Sequence, residues 1–378
     1  MSDKEVIRLY EIRQAVEGLK TVKEVAEALG LSERQVKRLK AGFKKVGPRA
    51  LAHKNRGRKP KHTVPEGTRK QVIALATTDF AGASHCQMAE LLAEYKGISL
   101  SHRTVSRILG AVGIKSRYVH RPPRRRRSRR RKPQEGILVQ TDASPFDWLE
   151  GRGPKMDLHG VIDDATSTVL GLHFRPHEDM HGYLEAFRQM IINHGVPLNV
   201  YTDGHTIFQS PSSAKLPVED QLIGRTEILT QVGRILKDLG INRIPAGSPQ
   251  AKGRVERLWE TLQGRLVIEL RLAGICTMEQ ANLFLPKYIK KYNARFAVAP
   301  AVSEAAYRPA PPPRLLDQIL TFREERSASN GSTISYNNTT YQLTRKGSVV
   351  LLRPKDKVSV LTHLDGRLTA LYKDETSP

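Results

Sequence analysis

The sequence predicts a multidomain chain with all-α helix-turn-helix modules at its amino end, an α/β core in the middle and a small β-barrel at its carboxyl end. Three observations carry that expectation. Helical stripes punctuated by serine caps and glycine stops fill residues 21–115, apolar runs bounded by turns then alternate with helical patterns, and period-two alternation takes over after residue 328. Charge follows the same division. Residues 1–136 carry 33 Lys and Arg against 12 Asp and Glu, a surplus of 21 in a chain whose formal total is +24. A polyanion-binding front half joined to a near-neutral back half has this distribution.

The two cysteines, Cys86 and Cys276, form no CxxC pair, which argues against a zinc finger or a disulfide framework. The amino terminus, MSDKEVIRLY, lacks an apolar signal region, and no run approaches about 18 apolar residues. The expected compartment is therefore the cytoplasm and the expected partner nucleic acid, not a membrane. A basic membrane-surface protein would concentrate its charge on one amphipathic helix instead of spreading it over about 130 residues.

TVKEVAEALGLSERQVKRLKAGF (21–43) has the layout of a helix-turn-helix. Val22, Val25, Ala26 and Leu29 form one stripe, Gly30 breaks the helix and Ser32 is a suitable N-cap for the next. Val36 and Leu39 then face inward, leaving Arg34, Gln35, Lys37 and Arg38 to enter a major groove. NRGRKPKH (55–62) is slim, extended and cationic, and its Arg56, Arg58 and Lys59 resemble an AT-hook arm in a minor groove; a flexible linker is the plainer alternative. Residues 66–115 give three more helical patterns. In the last, Val105, Ile108 and Leu109 face inward and His102, Arg103, Ser106 and Arg107 outward, a second helix-turn-helix with a longer turn. KSRYVHRPPRRRRSRRRK (115–132) holds 11 basic side chains and no acid. Paired prolines and the run Arg124, Arg125, Arg126, Arg127 make it a linker suited to a phosphate backbone.

From Glu135 the character changes. ILVQTDAS (137–144) is a buried-strand pattern, LHGVIDDATSTVLGLHF (158–174) reads as two strands around an Asp-Asp-Ala-Thr turn, and residues 178–195 form an amphipathic helix ended by Gly195. LNVYTDG (198–204) and INRIPAG (241–247) add two strands. A helix is expected next, with Ser248 as N-cap and Pro249 in its first turn. Val255, Leu258, Trp259, Leu262 and Leu266 form its buried stripe. After the proline-rich RPAPPPR (308–314), the segments STISYNNTTYQL, SVVLLRP and KVSVLTHLDGRLTALY alternate at period two, with a tight turn at Asp365-Gly366.

Asp142 and Asp203 end the first and fourth strands, where chemistry collects in open α/β sheets. Glu256 is expected about two turns into the following helix, at the edge of its buried stripe. Three converging carboxylates repel one another unless divalent metal neutralises them, and hard oxygen ligands select Mg2+ or Mn2+. Two such ions activate a water or a 3′-hydroxyl on one side of a phosphodiester and stabilise the leaving oxygen on the other. The neighbouring Lys252, Arg254 and Arg257 then suit a substrate strand lying across the helix. Spacing alone leaves Asp147 and Asp157 as alternatives, while Asp163 and Asp164 read as hairpin-turn residues.

QTDAS, YTDG and SPQAKGRVERLWETL resemble the first-Asp, second-Asp and Glu motifs of DDE transposases and retroviral integrases. Within that superfamily the chain is most similar to bacterial insertion-sequence transposases of the ISNCY-like branch, and PAVSEAAYRP (300–309) resembles the segment that follows their core. The resemblance implies an RNase H-like core, Asp142, Asp203 and Glu256 as catalytic and metal-binding residues, and two Mg2+ per site with Mn2+ as a substitute. It also implies cleavage at the ends of an element, joining of the freed 3′-hydroxyl to target DNA, no covalent protein intermediate and no nucleotide cofactor.

The implied partners are double-stranded transposon-end and target DNA and a second copy of the chain, at least a dimer on DNA, in the bacterial cytoplasm with the nucleoid. Three departures stand out. No His/Cys ligand set like that of the integrases' zinc-binding amino-terminal domain is read before the core. Asp203 and Glu256 are 53 positions apart, longer than in retroviral integrases, with an insertion near 205–227. The lysines that integrases carry one and two turns after their Glu are here Glu260 and Gln263.

The chain is thus divided into 1–54 (helix-turn-helix), 55–65 (AT-hook-like linker), 66–115 (second helix-turn-helix), 116–135 (arginine-rich linker), 136–300 (core), 301–327 (proline-containing connector) and 328–378 (barrel). Two rivals are a transposase-derived DNA-binding regulator without chemistry and an RNase H-like nuclease acting on RNA or junctions. The first shares the basic front half but has no need of three acids; the second has no need of paired helix-turn-helix modules.

Overall fold

The computed structural model describes residues 3–52, 63–116, 129–208, 229–246, 252–345, 347–372 and 375–377. The chain forms two compact units, residues 1–69 and 70–378. In the first, α1 (Asp3–Glu17), α2 (Val22–Leu29) and α3 (Glu33–Val46) are followed by a 3-10 turn over Gly47–Leu51. Thr21 caps α2 and Ser32 caps α3, each in a reciprocal capping box with the residue three positions on, Glu24 and Gln35. Gly30 ends α2 at φ 63°, a left-handed backbone that glycine adopts without a Cβ clash. Val25, Ala26 and Val36 pack with Ile12, Ala15 and Leu51. The sequence pattern does not single out α1, which supplies Ile12 and Ala15.

In the second unit, α4 (Glu66–Thr77), α5 (His85–Lys96) and α6 (His102–Ala111) are the three expected helices, and Ser101 caps α6. Val72, Phe80, Met88, Leu91, Leu92, Val105 and Ile108 are buried among them. A five-stranded sheet follows: β1 (Val139–Phe146), β2 (Met156–Asp163), β3 (Val169–Arg175), β4 (Asn199–Thr202) and β5 (Asn242–Pro245), in the order β3-β2-β1-β4-β5. Strands β1 to β3 form an antiparallel meander, whereas β1, β4 and β5 run parallel. The chain therefore reverses its direction of growth across β1, the kind of switch point at which open sheets gather function.

Helices cover both faces. Val139, Val161 and Val200 pack under α7 (Met180–His194) and α8 (Gln231–Asp238). Leu158, Leu172 and Phe174 pack under α9 (Gly253–Leu272) and α10 (Met278–Phe296). The connector is not loose. Val196 and Arg308 exchange backbone hydrogen bonds of 2.9 Å, and α11 (Pro313–Ile319) inserts Leu316 into the α7–α8 core.

One expectation lies outside the described residues and another is corrected. Helix α9 is described from Gly253, with Glu256 in the first described turn, while the expected cap Ser248 and first-turn Pro249 lie outside the described residues. Among the described residues the carboxyl-terminal strands do not close into a barrel. Strands β6 (Phe322–Ser327), β11 (Lys357–Thr362), β12 (Leu368–Tyr372) and β13 (Glu375–Ser377) form an open antiparallel sheet in the order β13-β12-β11-β6. The pairs β7 (Thr333–Tyr336) with β8 (Thr339–Gln342) and β9 (Thr344–Arg345) with β10 (Ser348–Val349) stay as separate two-stranded ribbons. Closure requires tilted strands paired edge to edge, and ribbons of two to four residues do not supply them.

Candidate active site

Asp142 does not end β1 as expected but lies inside it, because the β2 partner carries the ladder on to Phe146; it stands two residues past the end of the pairing with β4, where Val139 faces Val200 and Gln140 faces Tyr201. Continuing that register sets Asp142 beside Asp203, the residue that follows β4. The ammonium of Lys252 joins them, 2.6 Å from Asp142 Oδ1 and 3.7 Å from Asp203 Oδ2. Its side chain is 10% exposed, against 21% for Asp142 and 38% for Asp203. Asp203 Oδ1 also accepts from the His205 backbone N–H at 3.0 Å.

Helix α9 lies across this strand end. Gly160 stands opposite Asp142 in the β1–β2 ladder, and a Cβ there would meet the Trp259 ring at 2.6 Å. The missing side chain lets the indole Nε1–H donate to Asp142 Oδ2 at 3.1 Å. One turn on, Gln263 Nε2 donates to Ser144 Oγ at 3.1 Å. Lys252, Trp259 and Gln263 thus trace one helical stripe toward β1, at the i, i+7, i+11 spacing of a single face. Glu256 is on the same stripe, between Lys252 and Trp259, and is exposed. Among the described residues no three His, Cys, Asp or Glu side chains stand close enough together to hold a metal ion; the Lys252 ammonium stands between two of the acids.

The other predicted residues fall as follows. Arg34, Lys37 and Arg38 on α3 are exposed, whereas the Gln35 carboxamide is drawn into the cap, accepting from Ser32 N at 3.4 Å. His102, Arg103 and Arg107 on α6 are exposed and Ser106 is half-buried. Arg257 is exposed and Arg254 half-buried. Arg56, Arg58, Lys59 and Arg124 to Arg127 lie outside the described residues. Lys252, expected on the DNA-facing surface, is turned inward onto Asp142. Asp147 accepts from Gly151 N at 3.1 Å in the turn after β1, and Asp157 pairs across strands with Arg175.

Asp163 is the turn residue expected, accepting from Ala165 N, Thr166 N and Gly136 N at 2.8 to 3.0 Å. Burial nevertheless pushes its pKa up against those bonds. Asp164 does more than turn the chain. Fully buried, it accepts from Gln140 Nε2 at 2.8 Å, from Lys132 N at 2.9 Å and from the Arg129 guanidinium. Burial also lowers the Arg254 pKa, its guanidinium 3.9 Å from Asp164. Sequence reasoning missed Asp164, Gln140 and the polar role of Trp259. A glutamine in an otherwise apolar strand, and a second aspartate in a turn that needs one, were the available signals.

On the opposite face of β2, burial holds the His159 imidazole neutral, with its pKa lowered to about 4. Its Nε2 accepts from Asp179 N at 3.1 Å, fixing the start of α7. Tyr183, buried against His159, donates to Glu178 at 2.6 Å. Burial drives the Tyr183 pKa upward, as do Glu178, Asp142 and Asp203. A cleft of ≈ 280 Å³ lies elsewhere, lined by Glu90, Arg265, Glu269, Tyr288 and Lys291. Its charges are paired, Lys291 with Glu94 at 2.6 Å and with Glu269 at 2.7 Å.

Comparison with known proteins adds three results. A family model described as "Winged helix-turn helix" matches residues 12–70. The chain is 34% identical to "Putative transposase y4bF" of Sinorhizobium fredii (strain NBRC 101917 / NGR234), across 100% of this chain and 81% of that protein. It is 35% identical to the "Transposase for insertion sequence IS1202" of Streptococcus pneumoniae, across 94% of this chain and 81% of that protein. Among solved structures it is similar to a simian T-cell lymphotropic virus intasome bound to the PP2A regulatory subunit B56 gamma (14% identity, TM-score 0.34, covering 81% of this chain and 97% of that one). Another is the HTLV-2 integrase catalytic core domain in complex with magnesium (19% identity, TM-score 0.30, covering 44% of this chain and 92% of that one). Matched along essentially its whole length by two proteins of one kind, the chain belongs to the transposase family.

Proposed function

We propose that this transposase is a metal-dependent polynucleotidyl transferase that binds the terminal inverted repeats of its element, cleaves at the ends and joins the 3′-hydroxyl to target DNA. One observation carries the proposal: Asp142, within β1, and Asp203, just past the neighbouring β4, share one cation beneath the helix stripe that bears Glu256. The donor set fits a hard divalent ion, because every ligand offered is a carboxylate oxygen and a positive charge already stands between two of them.

Asp142, Asp203 and Glu256 would hold two Mg2+, or Mn2+ in substitution, which when bound supply Lewis-acid polarisation of the phosphate and an acidified water or hydroxyl. Trp259 orients Asp142 through its Oδ2, while Lys252 Nζ stands on Oδ1 and would give way there to a metal ion. Lys252 neutralises the acid pair. Arg257, exposed one position beyond Glu256, would meet a phosphate. Arg34, Lys37 and Arg38 on α3, and His102, Arg103 and Arg107 on α6, would read or grip the terminal repeats. Joining two element ends to one target calls for at least two such sites, hence at least a dimer on DNA. Sedimentation of the complex with paired-end DNA as a monomer would remove that element.

The test is strand cleavage of supercoiled plasmid and of end-bearing DNA in Mg2+ or Mn2+. Asp142→Asn, Asp203→Asn and Glu256→Gln should each lose about 100- to 1,000-fold in rate, the several kcal/mol a metal site contributes to charge stabilisation, while end binding persists. Sequence-specific binding without cleavage by the wild type would instead support a regulator.

A further inference from the structure

Helix α9 carries Glu256, and among the described residues none next to it in sequence caps it: Lys252, at the N-cap position, makes no side-chain bond to the first turn. Its free N–H groups are met from another element. Gln140 Oε1 accepts from Arg254 N and Val255 N, both at 3.2 Å. These are the second and third helical positions, the two that an N-cap side chain ordinarily serves. Gln140 is fully buried, two residues before Asp142 on the same strand.

A carboxamide cap works only if its oxygen faces the helix, and here the orientation is dictated. Asp164 can only accept while ionised, so the amide nitrogen of Gln140 must face it, at 2.8 Å, and the oxygen must face α9. Asp164 is held in turn by the last residues of the basic linker. Arg129 and the Lys132 N–H bond it, Arg129 lies over the Tyr201 ring at 5.3 Å, and Arg254 Nη2 reaches Arg129 O at 3.5 Å.

We propose that Gln140 and Asp164 are positioning residues. Gln140 serves as the cap of α9 supplied from β1, Asp164 fixes its amide, and together they set Glu256 relative to Asp142 and tie the linker's end into that geometry. The positioning role rests on the proposed catalytic function; the cap itself does not.

The experiment uses the full-length chain and two readouts. Hydrogen exchange at Arg254 and Val255 reports the cap, and kcat and KM for cleavage of end-bearing DNA report positioning. Gln140→Met, of similar volume and without the bonds, should speed exchange at these two amides. It should lower kcat about ten- to a hundredfold, the effect of misplacing a reacting group by about an ångström, with KM within about twofold.

Gln140→Glu alone sets two carboxylates together and should behave likewise. Combined with Asp164→Asn it should recover exchange protection and most of kcat. The new amide then donates to the new carboxylate, whose second oxygen caps α9, and a residue that merely fills space would give no such recovery. Unchanged exchange in Gln140→Met, or failure of the double swap to restore it, overturns the cap. Faster exchange with wild-type kcat overturns the positioning role. A wild type that protects these amides but cleaves no DNA overturns the proposed function, and the positioning role with it, while leaving the cap in place.

Discussion

Gly160 decides how closely α9 approaches Asp142. Its position opposite Asp142 is filled by the Trp259 ring, which a Cβ would meet at 2.6 Å. That ring is 7% exposed and packed within the α9–α10 core, so it has little room to withdraw. Gly160→Ala should therefore cost roughly 1–3 kcal/mol of stability, the usual range for overpacking. The indole should also leave Asp142. Urea unfolding measures the first effect. A shift in Trp259 emission measures the second once Trp148, the other indole, is replaced by Phe. An unshifted spectrum and midpoint would refute the close-packing account.

At the scale of elements, the β2–β3 pair carries two histidines opposite one another, His159 and His173, and burial lowers both to about pKa 4. Their folded pKa lies below the unfolded value of about 6.5, so the neutral form is the stable one. The stabilisation is complete above pH 6.5 and is lost as pH falls from there toward 4. Unfolding free energy should drop by a few kcal/mol between pH 6.5 and 4.5. His159→Gln, which cannot charge, should flatten that slope, and an unaltered pH profile in the variant would contradict it. Asp179, whose carboxyl is raised by burial but held lower on balance by Arg175 and the Gly182 N–H, titrates below this window.

Across the whole molecule, charge is segregated: the first 136 residues hold a surplus of 21 out of +24. In the sheet-bearing remainder acids are held in ion pairs, among them Asp142 with Lys252 and Glu269 with Lys291. DNA affinity should accordingly come from the front half and fall steeply with salt. Replacing Arg124 to Arg127 with Gln should reduce the slope of log K against log salt by roughly 0.9 for each phosphate that is no longer neutralised. Filter binding across a salt series reads this directly, and an unchanged slope would mean that the run does not touch the backbone. No helix among the described residues is long and apolar enough to cross a membrane.

Local rules determined much of this protein. Capping serines, glycine stops and apolar periodicity located α2 to α7, the five core strands and the stripe on α9, because each signal lies within one element and reports that element's own burial or backbone geometry. The position of Asp203 just past its strand was legible for the same reason, whereas Asp142 lies inside a strand that runs on to Phe146. What local rules could not supply was set by partners distant in sequence. The first described turn of α9 is bonded by Gln140, which stands 114 positions earlier than Arg254. Lys252 turns inward because two neighbouring strands present Asp142 and Asp203 to it, and Trp259 gains a polar task because Gly160 vacates the space beside Asp142. The carboxyl-terminal strands stay open because ladder pairing, not alternation, decides whether a sheet closes. Sequence periodicity fixes which face of an element is buried; only the packed structure decides what that face meets.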